Sequence, residues 1–233
     1  MKPMFLLPVL CLLAACHAKD APRDKVAELA AGNTMTCTAG GITLSGKGQD
    51  IGIAGFGVKD NTLSAFALTL NAELGGKEHV VSTSLMPLPM HTGTYYFPGL
   101  DEPGMTFASY EIRTTERDLL KAYGGTTYSQ HYSAVENDPE AKLKIEIDLI
   151  TVSAADLPGF KRVHALGRFQ FNGAALPASS PSDACVTDGI QRSIRSVGAN
   201  KRLLPLFDAG VCGAEKKHVQ CSFDVTTDFP VQP

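Results

Sequence analysis

The chain has 233 residues, a formal net charge of −3 and 44% hydrophobic residues, which is enough for one sizeable domain with a buried core or two small ones. Mild acidity without a long basic run removes the electrostatic ground for a nucleic-acid partner. With 22 Gly, 14 Pro and no Trp, it is a chain rich in turns.

Residues 1–15 have the three parts of a secretory signal: Lys2 as positive end, an apolar run from Phe5 to Leu13, and the small residues Ala14 and Ala15 before the cut. The run is too short to cross a bilayer, which takes about 20 apolar residues. Its ending, Leu13-Ala14-Ala15-Cys16, resembles the lipobox of bacterial lipoproteins, with leucine three places before the cysteine and two small residues between them. The resemblance covers only the N-terminus. It implies cleavage before Cys16, a thioether-linked diacylglycerol on that thiol and an N-acyl chain such as palmitate. More than one chain anchors stably, because each buried methylene contributes about 0.8 kcal/mol. Cys11 is the poorer acceptor, since the bulky Leu10 precedes it; the competing reading is an ordinary signal cut a residue or two away. His17 stands where inner-membrane lipoproteins of enteric bacteria carry Asp, so the resemblance implies the outer membrane, with the domain facing the periplasm.

Residues 16–31 then make the lipidated Cys16, a polar tether broken by Pro22 and a short helix, capped by Asp24 with Val26, Ala27, Leu29 and Ala30 inward. Residues 32–233 read as a single β-rich domain. Period-two segments begin at Met35 and continue as Ile51 to Val58, Leu63 to Leu70, His79 to Leu85, Thr94 to Phe97, Thr106 to Arg113 and Thr126 to Ser133. The clearest strand is Leu143 to Leu149, where every odd residue is apolar and every even one charged, so one face is buried and the other in water. Val163 to Phe171 repeats the alternation with Phe169 and Phe171 inward, and Val219 to Thr226 closes the series. Gly75-Gly76, Pro98-Gly99, Pro103-Gly104, Gly124-Gly125, Asn137-Asp138-Pro139 and Pro158-Gly159 punctuate it. The fold class is mainly β: an antiparallel β-sandwich or barrel of about ten strands with one or two short helices. Thr115 to Tyr123 is the helical interruption, and 176–213 reads as a long loop region with a helical turn near Gly189 to Ser196.

Besides Cys11 and Cys16, the chain holds Cys37, Cys185, Cys212 and Cys221. In an oxidising envelope an even number of thiols reads as disulfides, with three connectivities open. The preferred one joins Cys185 to Cys212 as a staple across the loop region and Cys37 to Cys221 as a tie between first and last strands. Its rival joins Cys212 to Cys221 across a hairpin and leaves Cys37 for Cys185. No closely spaced pair of zinc ligands occurs, and neither a metal nor a cofactor is expected.

Catalytic motifs fail. Gly41 to Lys47 matches the first seven places of a P-loop, yet Gly48 stands where a magnesium-binding Ser or Thr is required. No nucleophile elbow or zinc-protease helix occurs, and the mature histidines His17, His79, His91, His131, His164 and His218 are scattered. The acidic cluster Glu136, Asp138 and Glu140 reads as a solvated turn. The segment Met86 to Pro98 is the most suggestive surface: Met86, Met90, Tyr95 and Tyr96 combine adaptable thioethers with rigid aromatics, as partner-binding surfaces do. The competing reading is a Pro-rich crossover feeding a core strand. The leading expectation is therefore a lipid-anchored, non-catalytic module that binds an envelope or periplasmic protein, as an inhibitor, immunity protein or accessory subunit. The alternatives are a carrier of a small apolar ligand in a barrel cavity and a hydrolase whose site lies on loops.

Overall fold

The computed structural model describes residues 28–55, 57–59, 62–85, 88–97, 107–114, 130–134, 143–175, 182–198, 208 and 210–232. The signal, Cys16 and the expected helix Thr115 to Tyr123 lie outside them, as does Met86; of the helix expected to end at Ala31, residues 28–31 are helical.

The chain is mainly β, in antiparallel sheets that are sandwich-like. β1 (Thr34–Ala39) and β2 (Ile42–Lys47) form a hairpin in which Met35, Cys37, Ala39 and Leu44 point inward and the threonines outward. A tight turn at Gly48–Asp50 leads into β3 (Ile51–Gly55). The run expected from Ile51 to Val58 breaks at Gly57, whose φ of 115° is outside the strand region. Past this break the chain makes the short pair β4 (Val58–Lys59) and β5 (Thr62–Leu63). β6 (Phe66–Leu74) and β7 (Lys77–Leu85) are joined by Gly75-Gly76, both at positive φ (60° and 70°). That is the two-residue turn whose twist matches the flanking strands. β8 (Leu88–Pro89), β9 (Gly93–Phe97), β10 (Phe107–Thr114) and β11 (Gln130–Ala134) come next. The long strands β12 (Leu143–Ala154) and β13 (Phe160–Ala175), the helix α1 (Asp183–Gly198) and β14 (Glu215–Pro230) complete the order.

The large sheet runs β2-β1-β14-β13-β11-β10-β7-β6-β3 and forks at β13. β12 pairs with β13 along Lys161–Gln170, β11 pairs with it at Gly173–Ala174, and β9 pairs with the outer side of β12. β4, β5 and β8 make a small second sheet. The large sheet coils until its two ends, β2 and β3, are joined by the turn Gly48–Asp50. Among the described residues no ladder zips β2 to β6 across that seam, so the sheet is curled without closing into a barrel. A groove lined by Thr43, Ser45, Asp50, Asn71 and Glu73 marks the seam. The concave side holds one apolar cluster in which Phe66, Phe169 and Phe223 interlock, their centroids 6.3 and 6.5 Å apart, with Met35, Leu68, Leu70, Ile145, Phe171 and Val225 around them.

Two disulfides staple this frame. Cys37 and Cys221 bond across the β1–β14 pair, where they are directly opposite in register, and Cys185 on α1 bonds Cys212. The segment expected as a loop with one helical turn is instead a 16-residue helix. Ser182 caps it, its hydroxyl accepting from the Cys185 N–H at 3.3 Å. Gly189 and the Ser and Thr residues along it are weak helix formers, which hid its length.

Beneath the β7–β10 pair lies a buried polar couple. The Tyr110 hydroxyl is 2.7 Å from His79 Nδ1, and the residues are 0% and 5% exposed. Burial, with a smaller contribution from the Glu215 charge, pushes the Tyr110 phenol up to about 12. Tyr110 therefore keeps its proton and donates to His79. Desolvation holds the imidazole below its ordinary value, with Lys77 and Lys217 acting the same way against a hydrogen bond to the Leu74 backbone. A histidine depressed in the fold and near 6.5 when unfolded takes up its proton first in the unfolded state. Its contribution is complete above about pH 6.5 and is lost as the pH falls from there toward the folded value. The expected result is a urea midpoint that drops on acidification over that range and drops less in a His79→Gln variant. Equal drops in both would refute this assignment.

Candidate binding surface

The surface expected at Met86, Met90, Tyr95 and Tyr96 resolves into two faces. Met90 and Tyr95 are half-buried and pack against the core. The Tyr95 hydroxyl donates to the His91 carbonyl at 2.8 Å and lies 2.6 Å from His91 Nδ1; desolvation raises its pKa. Strand alternation turns Tyr95 inward, away from Tyr96. Tyr96 points the other way and is 62% exposed, opposite Lys144 in register.

Around Tyr96, Glu146 lies between Lys144 on its own strand and Arg168 across the ladder, bonded to both. The hydrogen bond from Lys144, then that from Arg168, holds its carboxyl below the usual range. Ion pairs at the surface like these contribute little stability; the orientation of β12 against β13 is set by their backbone ladder.

The alternation of β12 then slips. Ile147 is opposite Gly167 and Leu149 opposite Leu166, leaving Asp148 as the extra residue of a bulge. The inward side is so crowded here that only glycine fits at 167. A Cβ there would lie far inside contact distance of the Glu146 carbonyl oxygen and 3.0 Å from the Phe223 ring. The bulge flips every later side chain: Leu149, expected inward, is 40% exposed on the outer face, while Ile150 moves to the core side.

β9 pairs with β12 only along Leu143–Ile147 and stops at the bulge. From Leu149 to Ala154 the outer edge of β12 has no partner strand among the described residues. Leu149, Thr151, Val152, Ser153 and Ala154 are exposed. The stretch Leu149-Ile150-Thr151-Val152-Ser153-Ala154 contains no charge and no proline and is β-branched at its centre. Edge strands are ordinarily blunted by lysine, proline, a bulge within them or a covering element; here the bulge precedes the free stretch. The hairpin tip beyond it is held by Arg162, whose guanidinium bonds both oxygens of Asp228 (2.9 and 3.1 Å) and reaches Asp156 at 3.3 Å.

This edge was missed by period-two reasoning, although Asp148-Leu149-Ile150, a break of phase in the cleanest strand, carried the signal. On the outer face of the same hairpin His164 Nε2 is 2.7 Å from Asp224 Oδ1, both on an open sheet face with neighbouring strands on either side. Among the described residues no group of three or more His, Cys, Asp or Glu could share a metal ion.

Compared with protein-family models, with curated proteins and with solved structures, the chain has no significant match.

Proposed function

We propose that the chain is a lipid-anchored envelope protein, attached through Cys16, whose β domain recruits a protein partner without catalysing a reaction. The observation that carries this reading is the edge Leu149–Ala154 of β12, which has no partner strand among the described residues. A strand laid along it gains main-chain hydrogen bonds, while Leu149 and Thr151 on one face and Ile150 and Val152 on the other discriminate its side chains. Tyr96 and the Lys144–Glu146–Arg168 cluster, on the same outer face as Leu149, give the partner a polar margin. This mode of capture suits an envelope-enzyme inhibitor, an immunity protein or an accessory subunit.

The test is affinity capture by the whole exported protein from detergent-treated envelope, comparing wild type with Val152→Lys and Thr151→Pro. Both side chains are exposed, so Val152→Lys should leave the fold within about 0.5 kcal/mol, and circular dichroism of Thr151→Pro checks that the proline leaves β12 paired to β13. A stoichiometric partner retained by wild type and reduced about tenfold by Val152→Lys supports strand addition. The same partner held equally by all three proteins refutes it.

A further inference from the structure

Residues 149–154 of β12 lack the devices by which a sheet edge repels its own copy. Natural edges carry a lysine, a proline or a covering element against that pairing, whereas this stretch has no charge, no proline and no partner strand on its outer side among the described residues. Val152 lies opposite the buried Val163, yet is itself 42% exposed. A strand added along this edge covers it.

Symmetry and charge identify that strand. Two copies of β12 related by a two-fold axis through Thr151 pair antiparallel, with each face of the sheet continued into the other copy. Thr151 then meets Thr151, Leu149 meets Ser153, Ile150 meets Val152 and Asp148 meets Ala154. The apolar pair Ile150–Val152 forms twice on the core side and the two threonines meet on the outer side, both favourable cross-strand combinations. Ala154 is itself opposite the exposed Lys161, so each Asp148 comes to lie one strand away from a lysine of the other copy. The neighbouring registers are worse. With the axis at Val152, Asp148 faces Asp156; with the axis at Ile150, Ser153 runs into β9, which already pairs with Ile147. A strand pair this short is below the area of a dimer stable in dilute solution, and two chains anchored in one membrane supply the missing local concentration.

We propose that the edge of β12 is capped by a second copy of this chain, residues 148–154 pairing about Thr151, and that a partner strand gains the edge by displacing that copy. The displacement rests on the strand-capture reading and names the regulation of the same site.

The whole exported protein is oxidised mildly at about 1 mM, the effective concentration that short tethering gives. Cys37, Cys185, Cys212 and Cys221 are in disulfides, so an added cysteine is the reactive thiol of the described domain. Thr151→Cys should cross-link into a disulfide dimer, read by intact mass, and so should Leu149→Cys mixed with Ser153→Cys. Ser153→Cys alone should stay monomeric, because its two copies lie about 14 Å apart in this register. Adding Val152→Lys to Thr151→Cys should slow cross-linking about tenfold, since it sets a charge against Ile150 of the other copy. A monomeric Thr151→Cys overturns the proposal, as do single cysteines that all cross-link at equal rates, the mark of random collision. The cross-linked dimer should capture the envelope partner poorly and recover it on reduction. A dimer that retains the partner as well as its reduced form does overturns the cap, and the fault then lies with the strand-capture reading. Partner held at the edge while Thr151→Cys stays monomeric removes the cap alone and leaves that reading intact.

Discussion

Replacing Cys37 and Cys221 together by alanine should lower the unfolding free energy by about 3–5 kcal/mol. The bond joins residues 184 apart in sequence, and in the chain-entropy view cross-linking so long a loop removes about 5 kcal/mol of freedom from the unfolded chain. Both cysteines are buried, at 0 and 1% exposure, so the sulfur pair also fills core volume that alanine leaves empty. The companion variant, Cys185→Ala with Cys212→Ala, opens a separation of only 27 residues and should cost about 1–2 kcal/mol less on the same scale. Equilibrium urea unfolding of the two double variants beside wild type measures both. A loss below about 1 kcal/mol for the first pair would show that the ladder of β1 on β14 holds without its covalent tie. A larger loss for the second pair would make α1 part of the cooperative core instead of a stapled appendage.

Phe223→Ala should cost about 3–5 kcal/mol, the range for truncating a buried aromatic. Phe223 is 3% exposed, lies 6.3 Å from the Phe66 ring and 6.5 Å from that of Phe169, and backs directly onto Gly167. It thus connects both arms of the curled sheet: Phe66 belongs to β6 and Phe169 to β13. Removing it opens a cavity that backbone collapse cannot close, because β13 and β14 are paired over 16 positions. For a domain of this size about 2–4 °C of melting temperature goes with each kcal/mol, so the midpoint should fall about 10–15 °C. Phe223→Leu, which keeps most of the volume, should lose less than half as much. Equal losses for the two variants would move the explanation from volume to ring geometry.

Much of the architecture was legible because strands that face water on one side write their burial as alternation. Met35, Cys37 and Ala39, then Leu143, Ile145 and Ile147, then Phe169 and Phe171 are inward as their spacing predicts. Legibility failed where the period was interrupted. Gly57 divides a single apparent strand in two, and the extra Asp148 reverses the faces beyond it. In α1 the spacing of Val186, Ile190 and Ile194 was present in the sequence, but weak helix formers between them and a nearby cysteine favoured reading a loop. The binding surface was harder still. Met90 and Tyr95 have the composition of contact residues and are half-buried against the core. The edge at Leu149–Ala154 is exposed for a reason no local pattern contains, namely that β9 stops short.

The tie between β1 and β14 also decides how the domain bears load. The chain enters the sheet at Thr34, and only Thr34, Met35 and Thr36 precede the cross-link at Cys37. Tension applied through the N-terminal segment can therefore free Asn33 from Gly48 and Thr226 and peel Thr34, Met35 and Thr36 from their neighbours, but no more. Beyond them the force passes through a covalent bond into the middle of β14, whose 16 residues are paired to β13 in shear. Mechanical failure is thereby moved from the entry of the chain to the most extensively paired part of the sheet.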